Sequence, residues 1–281
     1  MTAPIVHRYA GKFMALPYDH VNAYIVELDN SSVIVDSTIA LSSARGLRAQ
    51  AEALNKPIDA VMLTHGHPDH YTGLAVFEDL PRFSSQGALD FAHREDIVKA
   101  PVATMLLGDD YPAVRVFPNE IVKDGETVEF GGVGFTFTDL GPGESDSDGM
   151  WVYKHDGAAH AFVGDAIAKD CHCFFRDGHT PEWLKILDRL ESQFDETTRF
   201  YIGHGEAPVG TGVIRWQRGY VEAFLSAVDH LRDREDPTSR PAQEQLIAQM
   251  KDYLPTDSTL FLLDYELDYS IGRLLEATAP H

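Results

Sequence analysis

Residues 64–70 read Thr-His-Gly-His-Pro-Asp-His, so His65, His67, Asp69 and His70 bring three imidazoles and a carboxylate into six positions. On an extended segment residues two apart point the same way, and His65 and His67 can share one ion. A helix beginning at the aspartate would turn Asp69 and His70 toward a second position. Imidazole and carboxylate donors at this density suit zinc, with manganese or iron as alternatives. A purely structural cluster would instead need several neutral imidazoles side by side without partners.

Two further stretches could carry chemistry. Residues 139–149 read DLGPGESDSDG, in which Glu144, Asp146 and Asp148 precede Gly149 like the first half of a calcium loop. That reading fails because His155 stands where the bidentate glutamate belongs, and the flanks look like strands rather than helices. Asp146 and Asp148 suit a turn. Cys171 and Cys173 flank His172; a bridge between residues two apart would be strained, and no second cysteine pair completes a zinc ribbon. Two reduced thiols are expected.

The elements that must position these groups read as a mixed α/β chain. VNAYIVEL (21–28) and SVIVDS (32–37) flank turn residues and predict a hairpin, and IDAVMLTH (58–65) is a strand ending on the histidine cluster. Leu41, Ala44, Leu47, Ala51 and Leu54 recur at helical spacing. Residues 136–140, 150–154 and 159–163 predict strands around the acidic stretch; residues 181–194 predict a helix, and RFYIGH (199–204) a last strand. Beyond about residue 208 the chain turns helical, with segments over 216–236, 241–253 and 264–278 separated by prolines. A domain over residues 1–208 with a helical extension over 209–281 packed on it is expected. Phe174, Phe175, Trp183 and Tyr71 could line an apolar pocket beside the site.

Composition narrows the function classes. The 281 residues carry 44 acidic against 23 basic side chains, a net charge of −21 that repels nucleic acid and anionic membranes and favours cations. The acidic, lysine-poor balance would also suit a salty habitat. No apolar run approaches a membrane span, and the first residues lack the pattern of a signal peptide, so a cytoplasmic location is expected. Neither the oligomeric state nor the substrate is encoded in any pattern of the chain.

THGHPDH resembles the HxHxDH motif of the metallo-β-lactamase-fold hydrolase superfamily, and residues 20–205 carry similar segments in family order. VDS (35–37) resembles the strand end before the first helix, without the family's usual glycine. FVGDA (162–166) resembles the segment whose aspartate, here Asp165, bridges two metals, and YIGHG (201–205) the final strand-end histidine, here His204. The family's third histidine falls in GPGESDSDG, where Glu144 is the residue that fits. A glutamate there is similar to the alkylsulfatase branch, whose chains are longer and carry glutamate where this chain has Asp165.

The resemblance implies a four-layer αββα sandwich and two divalent metal ions, zinc first, with manganese or iron possible. His65, His67 and Glu144 would hold one ion, Asp69, His70 and His204 the other, with Asp165 bridging. A binuclear metal-dependent hydrolase follows, in which the metals hold a hydroxide and Asp69 orients it or takes its proton. Carboxylic esters, lactones or thioesters lead as the small-molecule substrate, then sulfate or phosphate esters, then β-lactams. A di-iron redox protein or a non-catalytic metal-binding member are the alternative readings.

Overall fold

The computed structural model describes residues 2–12, 20–232 and 234–277. Its strands form two sheets. The first runs in the order β1 (Ile5–Lys12), β2 (His20–Glu27), β3 (Ser32–Val35), β4 (Ile58–Met62), β5 (Arg82–Ser84) and β6 (Glu120–Ile121). Its first three strands are antiparallel, β2 and β3 forming the expected hairpin, and the rest are parallel. Parallel neighbours need crossovers. These are α1 (Leu41–Glu52), α2 (Pro68–Tyr71) with the turns that follow it, and α3 (Gln86–Leu107). The second sheet is an antiparallel meander of β7 (Thr127–Phe130), β8 (Val133–Gly141), β9 (Asp148–His155) and β10 (Ala158–Ala168). It is closed by β11 (Arg199–His204), which pairs parallel to β10 after the crossover helix α4 (Thr180–Gln193).

The two-residue alternation of strands explains the layers. Tyr24, Val26, Val33 and Val35 point into the space between the sheets, where they meet Phe135, Phe137, Trp151, Tyr153 and Phe162. Ala23, Ile25 and Ile34 point the other way, onto Ala44, Leu47 and Ala51 of α1. On the far side Met150, Val152, Ala161 and Ile202 pack on Trp183, Ile186 and Leu190 of α4. The order is helix, sheet, sheet, helix, as the resemblance implies. Each large apolar side chain withdrawn from water in this way contributes roughly 1.5–3 kcal/mol. Polar stitches fix the sheets' relative position: the Trp151 indole donates to Leu63 O at 2.9 Å, and Asn22 donates to Ile202 O at 2.9 Å and Gly205 O at 2.8 Å.

Three helices follow β11: α5 (Gly212–Arg232), α6 (Arg240–Tyr253) and α7 (Leu260–Ala277). Residue 278, the last of the expected third segment, lies outside the described residues. Val221, Phe224, Leu246, Leu263 and Leu267 of these helices join the same apolar cluster as α4. No helix among the described residues is long and apolar enough to cross a membrane.

The largest difference from the sequence reading is α3, a 22-residue helix not expected there. Ser85 caps it by accepting from Ala88 N at 3.0 Å, a favourable start. Pro101 lies inside it, and Val98, Met105 and Leu106 are exposed, so its apolar residues do not form one core-facing stripe. Strands β1, β5, β6 and β7 are also additional; β5 and β6 have only three and two residues.

Candidate metal centre

The strand ends of both sheets converge. His65 follows β4, His67 caps α2, and Asp69 and His70 lie on that helix. Glu144 comes from the β8–β9 connection, Asp165 from β10 and His204 from the end of β11. All seven are buried. The seven expected site residues thus meet in one place, although His65 and His204 stand 139 positions apart in sequence.

They form two groups that could each hold a metal ion: His65, His67, Glu144 and Asp165, and Asp69, His70, Asp165 and His204. In each group the donor atoms lie within 4.8 Å of one another, and Asp165 belongs to both. His65 Nε2 lies 3.2 Å from His67 Nδ1, which is 3.0 Å from Glu144 Oε2. On the other side His70 Nε2 is 3.4 Å from Asp165 Oδ1, while His204 Nε2 is 3.2 Å from Asp69 Oδ2 and 3.3 Å from Asp165 Oδ2.

The remaining nitrogen of every imidazole is engaged from behind. His65 Nδ1 meets Thr64 Oγ1 at 3.0 Å, His67 Nε2 meets Asp177 Oδ2 at 3.2 Å, His70 Nδ1 meets Asp36 Oδ2 at 3.0 Å, and His204 Nδ1 meets His20 O at 2.7 Å. Such partners fix ring orientation and leave one nitrogen of each ring facing inward, the arrangement that metal-ligating histidines use. His70 Nε2, Glu144 Oε2 and Asp165 Oδ1 are buried without a hydrogen-bond partner. Buried polar atoms in that condition are costly, and one cation in each group would together satisfy all three. The donor set therefore fits two divalent ions.

The carboxylates draw positive charge into the site. Burial opposes charge on every member, yet Asp165, Asp69 and Asp36 hold His70 charged well above the usual imidazole range, and Asp165 and Asp69 do the same for His204. Those imidazoles in turn keep Asp69 and Asp165 well below the usual carboxylate range, again against burial. His65 is pushed down by burial and by His70. Burial dominates at Glu144, whose carboxyl is pushed up to about 8 despite His67.

The acidic stretch is not simply a solvated turn. Asp148 is buried, and its carboxylate accepts from Glu144 N at 2.7 Å, Ser145 N at 3.2 Å and Ser145 Oγ at 2.7 Å. Asp148 therefore folds the backbone that presents Glu144. Asp146 remains partly exposed and is clamped by Arg94 and by His179, the latter at 2.6 Å. Asp36 takes a comparable part at the end of β3, where it accepts from Thr64 N at 2.9 Å as well as holding His70. Thr38, where a glycine is usual in the resemblance, has φ +68°, a conformation strained for a β-branched residue. Gly203 is obligatory for another reason: a Cβ there would lie 1.6 Å from Asp165 Oδ1.

Asp36, Asp148 and Asp177 thus support the site without having been singled out for that role by the sequence. The apolar pocket also differs from expectation. Phe174 and Trp183 line the cavity of about 450 Å³ above the cluster. Phe175 is instead in the core, stacked on Phe224, and Tyr71 is buried with its hydroxyl on Asp96. His172 and both cysteines are buried: His172 meets the Tyr220 hydroxyl at 2.8 Å, and the Gln217 amide donates to Cys173 Sγ at 3.3 Å.

Residues 16–205 match the family model of the metallo-beta-lactamase superfamily. A metallo-beta-lactamase family protein from Thermus thermophilus superposes with a TM-score of 0.68 at 21% identity, covering 96% of this chain and 92% of that one. A beta-lactamase domain protein from Burkholderia ambifaria gives 0.67 at 18% identity, covering 96% and 86%. Among curated proteins, the uncharacterized protein YobT of Bacillus subtilis (strain 168) is 26% identical over an alignment of 119 residues that covers 38% of this chain. The match spans 48% of that relative's length.

Proposed function

Because the chain belongs to the metallo-beta-lactamase superfamily, we propose that it is a binuclear metal-dependent hydrolase acting on an ester-type bond. The observation that carries this reading is the pair of four-residue groups sharing Asp165 beneath an open cavity. His65, His67 and Glu144 would hold one ion, Asp69, His70 and His204 the other, and Asp165 would lie between them. Zinc suits these donors best; the three carboxylates also accommodate manganese or iron. Such ions supply Lewis acidity and water acidic enough to attack near neutral pH.

The chain's own groups do the rest. Asp69 lines the cavity, and its carboxylate can orient the attacking water and receive its proton. His204, whose Nδ1 is tied to the His20 carbonyl at 2.7 Å, would share the second ion with that carboxylate. Asp36, Asp177, Thr64 and the His20 carbonyl hold the four imidazoles, so little reorganisation is needed when substrate enters. Phe174, stacked edgewise on His67 with ring centroids 5.1 Å apart, limits water above the first group.

The test is metal analysis of the purified protein combined with a panel of carboxylic, thio-, sulfate and phosphate esters, lactones and a β-lactam, with and without chelator. Two ions per chain and chelator-sensitive cleavage of a carboxylic ester, thioester or lactone are expected. Cleavage that survives complete metal removal would overturn the mechanism; two ions with no turnover of any substrate would point to a binding protein.

A further inference from the structure

The cavity above the cluster is walled by two helices that the metal site itself does not require. Val98, Val102 and Leu106 recur every fourth residue of α3 and so share one of its faces, with Met105 beside them. Phe261, Leu262 and Tyr265 of α7 line the same cavity. Several of these side chains retain water contact: Val98 is 48% exposed, Leu106 43%, Phe261 39% and Tyr265 38%. Apolar side chains gathered around the mouth of a cavity, rather than scattered singly, mark a place where an apolar ligand is covered.

The charged groups of the cavity bear on the ligand's chemistry. Lys99 Nζ is 2.5 Å from Glu95 Oε2 and lies 4.5 Å from the centre of the Phe174 ring. Arg176 Nε lies 3.6 Å from Glu266 Oε2. Both cations are thus matched by carboxylates, and the net charge of the protein is strongly negative. A sulfate or phosphate group would have to compete with Glu95 and Glu266, whereas a neutral apolar chain would not.

Resting on the hydrolase reading, we propose that the substrate is a neutral ester, thioester or lactone carrying an apolar acyl chain longer than butanoyl, received between α3 and α7 in the cavity of about 450 Å³. The C-terminal helix α7 is then a specificity element. It decides which acyl group fits above a reaction centre that the two sheets provide.

Two measurements on the metal-loaded protein test this. The first is kcat/KM for p-nitrophenyl acetate, butanoate, octanoate and dodecanoate. Octanoate should exceed butanoate by about 200-fold, at roughly fourfold per methylene, and the gain should stop when the cavity is full. The second is calorimetric binding of 1-butanol and 1-octanol, which needs no turnover; octanol should bind tighter by a comparable factor. Val102→Trp should fill the cavity and collapse both ratios. Phe261→Ser changes a part-exposed residue that the fold can spare, and it should lower both ratios several-fold.

Equal rates for short and long esters, or ratios unmoved by both substitutions, would overturn the acyl-pocket proposal while leaving the hydrolase intact. No turnover of any ester, thioester or lactone, with the octanol preference retained and lost in Val102→Trp, would overturn the hydrolase reading and keep the pocket. Absence of any octanol preference would overturn the pocket whatever the rates.

Discussion

Asp148 never needs to touch a metal or a substrate to matter, because its carboxylate holds both Glu144 N and Ser145 N and thereby aims Glu144 at His65 and His67. Asp148→Ala should therefore weaken the ion at His65, His67 and Glu144 by about 10–100-fold, the range for losing a supporting partner. The ion at Asp69, His70 and His204 should keep its affinity, since those residues rest on Asp36 and the His20 carbonyl. Competition with a chromophoric chelator separates the two affinities; if both stay at wild-type values, Asp148 does not position Glu144. At this scale the sequence was legible only where donors stand close together. THGHPDH declares itself, because few other reasons place three imidazoles and a carboxylate in six positions. Asp165 and His204 needed the family resemblance, and Glu144 needed the departure from it. Asp36, Asp148 and Asp177 were opaque: each is an ordinary acidic residue until folding sets it behind an imidazole or a turn, and Asp177 lies 110 positions from the imidazole it holds.

The elements that make the layers were readable because their apolar residues run together over a strand's length, as in β2 and β3, or recur with the helical period, as in α1 and α4. Helix α3 was not readable, and the reason is physical. Its Val98, Val102 and Leu106 face the cavity, other apolar residues face the core, and Pro101 interrupts the pattern, so no single stripe survives. Helix α7 was readable as a helix but not as a wall of the site. Its approach is fixed near its start, where the Thr259 hydroxyl donates to His172 O and His172 N donates to Ser258 O at 3.0 Å. Glu266 meets Arg176 from the same helix but at a cost: burial pushes its carboxyl up to about 7 against the attraction of Lys99 and Arg176. A carboxyl raised above its unfolded value favours folding when protonated. The contribution is complete below about pH 4.5 and is lost as pH rises through about 7. Glu266→Gln removes that loss, so the variant should match wild type near pH 4 and be more stable by about 3 kcal/mol at pH 8. Denaturant melts of both proteins across this range isolate the effect, because titration of the metal cluster is common to both. A difference that does not grow with pH would mean that Glu266 is ionised in place without penalty.

Over the whole molecule, the net charge of −21 acts on every element at once. Two opposing effects of salt follow. Screening weakens surface ion pairs such as Arg48 with Asp79 and Arg240 with Asp264, each worth roughly 0–1 kcal/mol. It also weakens the mutual repulsion of the carboxylates that have no lysine or arginine to meet, at least 21 of the 44. The repulsion acts over longer distances than the pairs do. It is therefore the term that changes most as the Debye length falls from about 30 Å at 0.01 M to about 3 Å at 1 M. The second effect should win, and the protein should gain stability with salt. At constant pH and in the presence of chelator, so that the buried donors stay metal-free throughout, raising NaCl from about 10 mM to 500 mM should add about 2 kcal/mol. For a chain of this size that raises Tm by roughly 5 °C. Most of the rise should come below about 150 mM, where the Debye length shortens fastest in absolute terms. A Tm that falls with salt would show that the surface pairs, rather than the excess of acid, set the electrostatic balance of this fold.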